Sequence, residues 1–305
     1  MDRFEALAAL LAQRCGTLEV RNEEPMSRHT TFRIGGPAAL MALPRTAGEA
    51  KAAVRAAREL DIRPFFLGNG SNLLVPDEGY RGFVVKLCGL DQTREVNRRL
   101  WAESGISLAR LANAALGRGL AGLEFAHGIP GTLGGGVMMN AGAYGGELSQ
   151  TVTAVTYLDG EGEEHTLPAA GCEFGYRSSI FARYPDWLIL KAEFSLPQGD
   201  PEEIRGKIQE LARRRGEKQP LEYPSAGSMF KRPEGHFAAA LIDQCGLKGL
   251  TVGGAQVSEK HAGFVINQNG ATASEIYGLC MEVKRRVQEQ SGVELELEVK
   301  LLGGF

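Results

Sequence analysis

Cysteine is scarce and scattered in this chain of 305 residues. The five cysteines are an odd number, stand far apart and include no Cys-x-x-Cys pair, which argues against a disulfide framework and a structural zinc site. The five histidines have no metal-ligand spacing either. We therefore expect a cytoplasmic protein without a bound metal.

Excess charge of one sign and long apolar runs are missing as well. A formal net charge of -3 provides no basic stripe of the kind that displaces counterions from nucleic acid. No apolar run reaches transmembrane length, and residues 1–14 place acids inside their apolar stretch, which favours a helix over a signal peptide. These absences predict no nucleic-acid partner and no membrane span, and no obligate protein partner is evident.

The common catalytic signatures do not occur. The sequence contains no Walker A motif, no His-Glu-x-x-His and no Gly-x-Ser-x-Gly, so metal-assisted hydrolysis has no support. Residues 117–122, GRGLAG, satisfy Gly-x-Gly-x-x-Gly, but they follow a helical pattern, whereas a dinucleotide fingerprint follows a strand. We predict a helix end and its turn there.

Helical and extended patterns alternate along the chain. Apolar spacing predicts helices at residues 3–14, 46–60, 107–118 and in the charged stretch 199–220, and strands at PFFLG, FVVKL, TVTAVTYLD and WLILKAEFSL. A last part begins near YPSAGSMF and ends in a strand. The pattern predicts an α+β fold with three successive regions, residues 1–78, 79–198 and 199–305.

Two glycine-rich segments carry the strongest chemical signal. GNGSN at residues 68–72 can turn tightly and aim successive N–H groups at an anion such as pyrophosphate, although a plain Asn-Gly turn fits the same residues. The run GIPGTLGGGVMMNAGAYGG at 128–146 either lets the main chain lie against a flat ligand or is only a glycine-rich loop. Together, without a Rossmann fingerprint, they predict a nucleotide cofactor held by another design.

Seven motifs, in order along nearly the whole chain, carry a resemblance to a known family. They are HTTFRIGG (29–36), LGNGSNLLV (67–75), GIPGTLGGGVMMNAGAYGG (128–146), FGYRSSIF (174–181), AGSMFKRP (226–233), LIDQCGLKGLTVGGAQVSEKHAGFVIN (241–267) and LEVKLLG (297–303). The chain resembles the UDP-N-acetylenolpyruvoylglucosamine reductases, flavoenzymes of peptidoglycan synthesis. The resemblance implies that the first two regions form a two-part FAD-binding domain of the p-cresol methylhydroxylase type, followed by a smaller α+β substrate-binding domain.

The resemblance also implies the ligands and the residues that contact them. FAD is expected as the bound cofactor, NADPH as the cosubstrate and a UDP-sugar as the substrate. The first glycine segment would meet the FAD pyrophosphate, and the second would pass along the flavin. The implied cofactor contacts are Gly68, Asn69, Gly70, Ser71, Asn72, Gly131, Thr132, Gly134, Gly135, Asn140, Gly142 and Ala143.

The implied reaction is the reduction of an enol-ether double bond. NADPH reduces FAD and leaves, and UDP-N-acetylglucosamine enolpyruvate then takes the hydride at C3 from flavin N5, which leaves negative charge at C2 and in the adjoining carboxylate. The family's catalytic positions match Arg177, Ser228 and Glu298. By its own chemistry, Arg177 fits a forked carboxylate clamp or a surface arginine, and Ser228 fits a general acid at C2 or a helix cap.

Glu298 is selected by the resemblance alone. Residues 293–301 alternate strictly, which predicts a strand with Glu294, Glu296, Glu298 and Lys300 on one face. This period does not choose among the three glutamates, and a solvated strand face fits all of them. The match of LEVKLLG to the family's ending selects Glu298, whose implied role is to polarise or protonate C2 alongside Ser228.

Substrate contacts are implied at three further positions. Tyr144 would border flavin and substrate, and Lys218 would meet the nucleotide phosphates, although a helical charge run explains Lys218 equally well. Arg232 stands where many relatives have asparagine, which puts a specific uridine contact there in doubt. The segment from Arg177 to Ser228 lacks the inserted tyrosine loop of one subgroup, so the chain resembles the second subgroup.

Two other functions compete with the reductase. One is another flavoenzyme with the same class of FAD domain, such as an alcohol or hydroxy-acid oxidase, because a shared cofactor fold does not fix the reaction. The motifs of the third region argue against it, since they belong to the reductases. The other is a nucleotide-sugar binder that has lost its flavin, which the intact glycine segments argue against.

Overall fold

The computed structural model describes residues 2–97 and 99–305. Its α-helices are Arg3–Arg14 (α1), Ala47–Glu59 (α2), Leu108–Leu116 (α3), Leu133–Met138 (α4), Ile180–Arg183 (α5), Pro201–Lys218 (α6), Ala238–Gln244 (α7) and Ala273–Ser291 (α8). Its strands are Glu19–Pro25 (β1), Pro37–Leu43 (β2), Pro64–Leu67 (β3), Leu73–Leu74 (β4), Tyr80–Lys86 (β5), Thr93–Val96 (β6), Arg99–Glu103 (β7), Gly142–Ala143 (β8), Gly146–Glu147 (β9), Val152–Leu158 (β10), Glu164–Pro168 (β11), Leu188–Phe194 (β12), Ser225–Ser228 (β13), Thr251–Val252 (β14), Ala255–Val257 (β15), Phe264–Asn267 (β16) and Lys300–Leu301 (β17).

Local signals set the ends of several helices. Thr46 caps α2, because its hydroxyl oxygen accepts the N–H of Glu49 at 3.2 Å. Ser107 caps α3 in the same way, through the N–H three residues further on. Gly119, with φ 66°, lies in the turn after α3. The prediction of a helix end and turn at GRGLAG is therefore confirmed.

In the described part of the chain, no helix is both long and apolar enough to cross a membrane.

The chain divides into two compact units. The division into three regions, with boundaries after residues 78 and 198, stays a prediction. Unit 1 contains residues 1–23, 39–69 and 82–213, and unit 2 contains residues 24–38, 70–81 and 214–305.

Two larger sheets, each packed with helices in a hydrophobic cluster, build most of unit 1. One sheet has the order β1-β2-β5-β3, with β3 parallel to β5, and the other is the antiparallel sheet β11-β10-β12-β7-β6. The first cluster includes Leu7, Val54 and Phe83, so it joins α1 and α2 to the first sheet. The second includes Leu111 and Val137, which places α3 and α4 on the antiparallel sheet.

Unit 2 is built on the antiparallel sheet β13-β16-β15-β14, which α8 covers. Its hydrophobic cluster includes Phe32 and Leu74 from earlier parts of the chain and Ile276 from α8. Helix α8 begins at a capping box on Thr272 and ends at Gly292, whose φ of 73° favours glycine.

The C-terminal strand is shorter than the alternating pattern predicts. Strand β17 is only two residues long and pairs in parallel with the two-residue β4. Leu295 and Val299 are buried as the pattern predicts, but Leu301 is 37% exposed and Leu302 is buried instead. Because β17 has so short a partner, the pleat does not continue, and the predicted apolar face is wrong at its last position.

Candidate active site

The longer glycine segment forms α4 and lies against the chain that follows β7. The N–H of Gly134 donates to the carbonyl of Ser104 at 2.7 Å, and the N–H of Leu133 donates to Ile106 at 2.9 Å. A Cβ on Gly134 would lie 3.0 Å from the Ser104 Cβ. Glycine therefore permits the close approach that holds this segment in place.

The two glycine segments meet at Gly68 and Thr132. A Cβ on Gly68 would lie 2.2 Å from Thr132 Oγ1, so only glycine permits this contact. Beside it, the Cys88 thiol donates a hydrogen bond to Asn69 Oδ1 at 3.3 Å. Burial raises the pKa of the Cys88 thiol, which keeps its proton available as that donor.

Neighbouring glycines in α4 differ in what surrounds them. A Cβ on Gly136 would lie 2.9 Å from Leu148 Cδ1, so packing within unit 1 explains this glycine. A Cβ on Gly135 would meet only Thr132 Oγ1, at 3.9 Å, and Gly135 is exposed. Protein packing therefore leaves Gly135 unexplained, and its expected contact with the cofactor stays a prediction.

Tyr144 lies at the tip of a tight hairpin. Strands β8 and β9 pair directly, so Tyr144 and Gly145 are the two residues of the turn. Both have positive φ, 54° and 86°, which is the type I′ geometry that matches the twist of the flanking strands. At the tip of this turn, the residue Tyr144 is 41% exposed.

A second tight turn carries Arg177. Gly175 and Ser178 exchange backbone hydrogen bonds of 3.0 and 3.3 Å around Tyr176 and Arg177. The Arg177 guanidinium lies 5.3 Å from the centre of the Tyr176 ring, within cation–π range. Arg177 is only partly buried.

Hydrogen bonds tie the Arg177 turn to the end of the longer glycine segment. Asn140 is 2% exposed, and its Nδ2 donates to the Gly175 carbonyl at 3.2 Å while its Oδ1 accepts the N–H of Ser149 at 2.9 Å. The hydroxyl of Ser179 donates to the Met138 carbonyl at 2.9 Å. These contacts give Asn140 a structural role, while its expected contact with the cofactor stays a prediction.

Three of the expected site residues have left-handed backbones. Asn140, Tyr144 and Arg177 have φ of 44°, 54° and 52°. Residues with a Cβ rarely adopt this conformation, and such strain concentrates at functional sites. Glu23, Arg33, Asp61, Asn97 and Glu173 also have positive φ, so the backbone alone does not mark the site.

In unit 2, Ser228 lies exposed at the end of β13. It pairs with Phe264 of β16 across an irregularity in the ladder, and Gly227 before it has φ 75°. A bulge of this kind bends a strand and re-aims a side chain. The alternative that Ser228 caps a helix is wrong, because the residue belongs to a strand.

Glu298 lies beside the residue that follows Ser228. The N–H of Glu298 donates to the Met229 carbonyl at 2.8 Å, and the Asn72 side-chain amide donates to the Glu298 carbonyl at 3.1 Å. The structure therefore brings together the Ser228 segment, the Glu298 segment and the end of the GNGSN loop.

The other two glutamates of the alternating segment differ from Glu298. Glu296 forms an ion pair with Lys231, and Glu294 lies 3.8 Å from Lys284. The Glu296 and Glu294 side chains are 71% and 72% exposed, whereas Glu298 is partly buried. Burial thus separates the three glutamates that periodicity leaves equivalent.

His261, which the sequence analysis does not single out, supports the Ser228 segment. The N–H of Met229 donates to the Gly263 carbonyl at 2.9 Å, and the N–H of Gly263 donates to His261 Nδ1 at 3.2 Å. Burial lowers the pKa of His261, which favours the neutral ring, and the hydrogen bond from Gly263 requires Nδ1 to be without a proton. The only sequence signal was its place in the SEKHAGF motif.

Thr31 is a second such residue. Its hydroxyl donates to the Ser225 carbonyl at 2.6 Å, and its N–H donates to the Gly70 carbonyl at 3.2 Å. A Cβ on Gly70 would lie 2.3 Å from the His29 carbonyl oxygen. The HTTFRIGG motif thus holds the GNGSN loop, a role that needs contacts distant in sequence and is invisible in the motif alone.

The remaining expected substrate residues lie on exposed parts of unit 2. Lys218 is the last residue of α6. The Arg232 guanidinium lies 3.8 Å from the centre of the Phe237 ring, which is 60% exposed. Their contacts with a nucleotide stay predictions.

Residues 2–97 and 99–305 contain no group of three or more histidine, cysteine, aspartate or glutamate side chains placed to hold a metal ion. The cysteines in these ranges are all free thiols.

Comparison with known proteins identifies the family. A curated UDP-N-acetylenolpyruvoylglucosamine reductase from Clostridium botulinum is 47% identical over 303 residues, which cover 99% of each chain. This chain belongs to the UDP-N-acetylenolpyruvoylglucosamine reductase family. A reductase of the same name from Caldanaerobacter subterraneus is 48% identical over 280 residues, 92% of each chain.

Solved structures and family models agree with this membership. The crystal structure of the UDP-N-acetylenolpyruvylglucosamine reductase from Thermus caldophilus matches with a TM-score of 0.80 and 36% identity, covering 94% of this chain and 99% of that one. A family model described as an FAD binding domain matches residues 38–168, and the reductase C-terminal domain matches residues 219–302. The expected α+β fold, with an FAD-binding domain of the p-cresol methylhydroxylase type before a substrate domain, is confirmed.

In this reductase, we expect Gly135→Ala to weaken FAD binding without weakening the fold. Alanine is better than glycine inside a helix by about 1 kcal/mol, and its methyl group would meet only Thr132 Oγ1, at 3.9 Å. That methyl group would instead occupy the space expected for the cofactor. The thermal midpoint of the apoprotein and its dissociation constant for FAD measure the two effects separately.

Gly136→Ala is the matched control, one residue further along α4. Its methyl group would lie 2.9 Å from Leu148 Cδ1, so it should lower the free energy of unfolding by about 1–3 kcal/mol through overpacking. Wild-type affinity for FAD in Gly135→Ala would show that this turn of α4 does not face the cofactor.

Proposed function

We propose that this chain reduces UDP-N-acetylglucosamine enolpyruvate to UDP-N-acetylmuramate, with bound FAD and with NADPH as the reductant, in cell-wall synthesis. The single observation that carries the mechanism is the pairing of Glu298 with the residue after Ser228. This pairing brings together the backbone segments that carry the two groups, which supports a shared role at the reacting carbon. Similarity to the reductases over nearly the full chain supports the choice of substrate.

The glycine segments provide the space for the cofactor. Bound FAD supplies hydride transfer, from NADPH to C3 of the enolpyruvyl group. The open space above Gly135 offers bare main chain to the proposed flavin, and the contact of Gly68 with Thr132 holds the two glycine segments together. Asn69 and the N–H groups of the GNGSN loop are the proposed partners of the pyrophosphate.

Arg177 is proposed to bind the substrate carboxylate. Its guanidinium presents parallel donors that match two carboxylate oxygens. The carboxylate gains electron density when hydride reaches C3, so a bidentate clamp binds the transition state more tightly than the ground state. The Gly175–Ser178 turn and its bonds to Asn140 and Met138 hold the arginine in place for this role.

Ser228 is proposed to deliver the proton to C2, with Glu298 polarising or reprotonating it. The serine hydroxyl is exposed at the end of β13, so it is accessible to a substrate. The backbone before it bends at Gly227, and the backbone after it is fixed on both sides through Met229. A proton donor whose backbone is fixed in this way is already close to the geometry that proton transfer requires.

The substrate contacts are the least constrained part of the proposal. Tyr144 offers an exposed ring and hydroxyl on a rigid turn. Lys218 offers a point charge for the nucleotide phosphates, and Arg232 a charged group stacked on an aromatic ring. We place the reaction in the cytoplasm, because free cysteines fit a reducing compartment.

Anaerobic half-reactions test the function directly. The purified protein is reduced with one equivalent of NADPH, and UDP-N-acetylglucosamine enolpyruvate is then added without oxygen. We expect the visible flavin absorbance to bleach and then to return as UDP-N-acetylmuramate forms. Recovery only after air is admitted would point to an oxidase of the same FAD-domain class, and a colourless protein that gains no flavin would point to a nucleotide-sugar binder.

A further inference from the structure

We propose that Asn72 is a positioning residue for Glu298, so that the loop expected to bind the cofactor also aims the glutamate at the substrate. This inference rests on the proposed function. Its physical basis is a contact between residues 226 positions apart, the hydrogen bond from Asn72 Nδ2 to the Glu298 carbonyl at 3.1 Å. Sequence motifs assign Asn72 only to the cofactor.

Asn72 holds the chain on both sides of Val299. Its side chain donates to the carbonyl of Glu298, and its own carbonyl accepts the N–H of Lys300 at 3.1 Å. Val299 between them is 4% exposed and packs into the core of unit 2. One asparagine thus fixes the residues that flank a buried anchor.

Both peptide groups of Glu298 are therefore held. Its N–H donates to Met229, and its carbonyl accepts from Asn72. Fixing both groups fixes the direction of the Cα–Cβ bond, and with it the region that the carboxyl group can reach. Because the strand ladder at β17 is only two residues long, the Asn72 side chain adds a direct bond at the Glu298 carbonyl to a short set of backbone bonds.

The loop that carries Asn72 is itself held firmly. The Gly70 carbonyl accepts the N–H of Thr31, and the missing Cβ of Gly70 lets the loop lie against His29. Because the loop is held, the loop and the Glu298 segment do not move together. Glu298 is therefore displaced only if its hydrogen bond with Asn72 breaks. Misplacement of a catalytic group by about 1 Å costs up to about 10²-fold in rate.

The test compares Asn72→Leu with wild type and with Asn69→Leu. Leucine has nearly the shape of asparagine but no donor, and it adds no charge near the expected pyrophosphate. With FAD at saturation, we expect Asn72→Leu to slow flavin reoxidation by the enolpyruvyl substrate by roughly 10- to 10²-fold more than it slows flavin reduction by NADPH. Asn69→Leu, in the same loop, should instead lose affinity for FAD.

A double-mutant cycle separates positioning from a general structural effect. In a Glu298→Gln background, Asn72→Leu should slow reoxidation little further, because the carboxyl group that it positions is already absent. An unchanged fold-effect of Asn72→Leu in that background would overturn the proposal, as would equal slowing of the two half-reactions with FAD at saturation. If Asn72→Leu does not fold, Asn72→Ser serves in the same cycle.

Hydrogen exchange tests the contact without any reaction. The amides of residues 298–302 should exchange faster in Asn72→Leu than in wild type, while those of α8 should not change. Unchanged exchange in residues 298–302 would overturn the proposal even if the enzyme is active. If wild-type reduced flavin is not reoxidised by the enolpyruvyl substrate but exchange does increase, the proposed function fails and the contact stands.

Discussion

Ser228→Ala should leave flavin reduction by NADPH at the wild-type rate and slow flavin reoxidation by the enolpyruvyl substrate by roughly 10²- to 10⁴-fold, the usual loss for a general acid. Only the second half-reaction needs a proton at C2, so only that half should respond. Stopped-flow absorbance of the two half-reactions, recorded separately without oxygen, measures both rates on the same preparation.

Ser225→Ala is the matched control, because it removes a hydroxyl from the same strand. The contact of Ser225 with Thr31 uses its carbonyl oxygen, so the substitution keeps that bond. Near wild-type rates in both half-reactions are expected for it. Equal slowing of both half-reactions in Ser228→Ala would remove Ser228 from the role of proton donor and point to a disturbed fold.

Much of the fold could be predicted because its signals are local. The helices expected at residues 3–14 and 46–60 form at Arg3–Arg14 and Ala47–Glu59, where apolar spacing and a threonine cap act within a few residues. The prediction of the C-terminal strand is wrong in length because the signal that sets its length is not local. Its length depends on a partner more than 200 residues earlier, and alternation alone carries no information about that partner.

The residues of the candidate site likewise fall into those that a local sequence signal predicts and those that depend on contacts distant in sequence. The glycine segments could be recognised because close approach of main chain requires glycine itself. The left-handed backbones of Tyr144 and Arg177 could not, since neither residue type signals positive φ. Glu298 could be chosen only by resemblance, because the contacts that distinguish it from Glu296 come from Met229 and Asn72.

Glycine in this chain serves two physical purposes that composition cannot separate. Gly68 and Gly136 are required by protein atoms that would clash with a Cβ, at 2.2 and 2.9 Å. No protein atom requires Gly135, and its expected contact with the cofactor stays a prediction. The same sequence signal is therefore compatible with packing and with binding, and the coordinates identify only the glycines that packing requires.

Arg177→Lys should slow reoxidation of the reduced flavin by the substrate by roughly 10²- to 10³-fold, the usual cost of losing a donor to a developing oxyanion. Lysine keeps the positive charge but not the forked pair of donors, so it binds one carboxylate oxygen where arginine binds two. Flavin reduction by NADPH should change little. The two half-reactions and the substrate concentration dependence of the second are the measurements.

The substitution isolates the head group with little effect on the turn. Arg177 has φ 52°, and lysine has the same Cβ and the same backbone cost there, so the Gly175–Ser178 turn should persist. Arg183→Lys, at an exposed arginine paired with Glu173, is the control for a loss of guanidinium in the same unit and should leave both half-reactions unchanged. Wild-type turnover in Arg177→Lys would mean that a point charge suffices and would remove the carboxylate clamp from the mechanism.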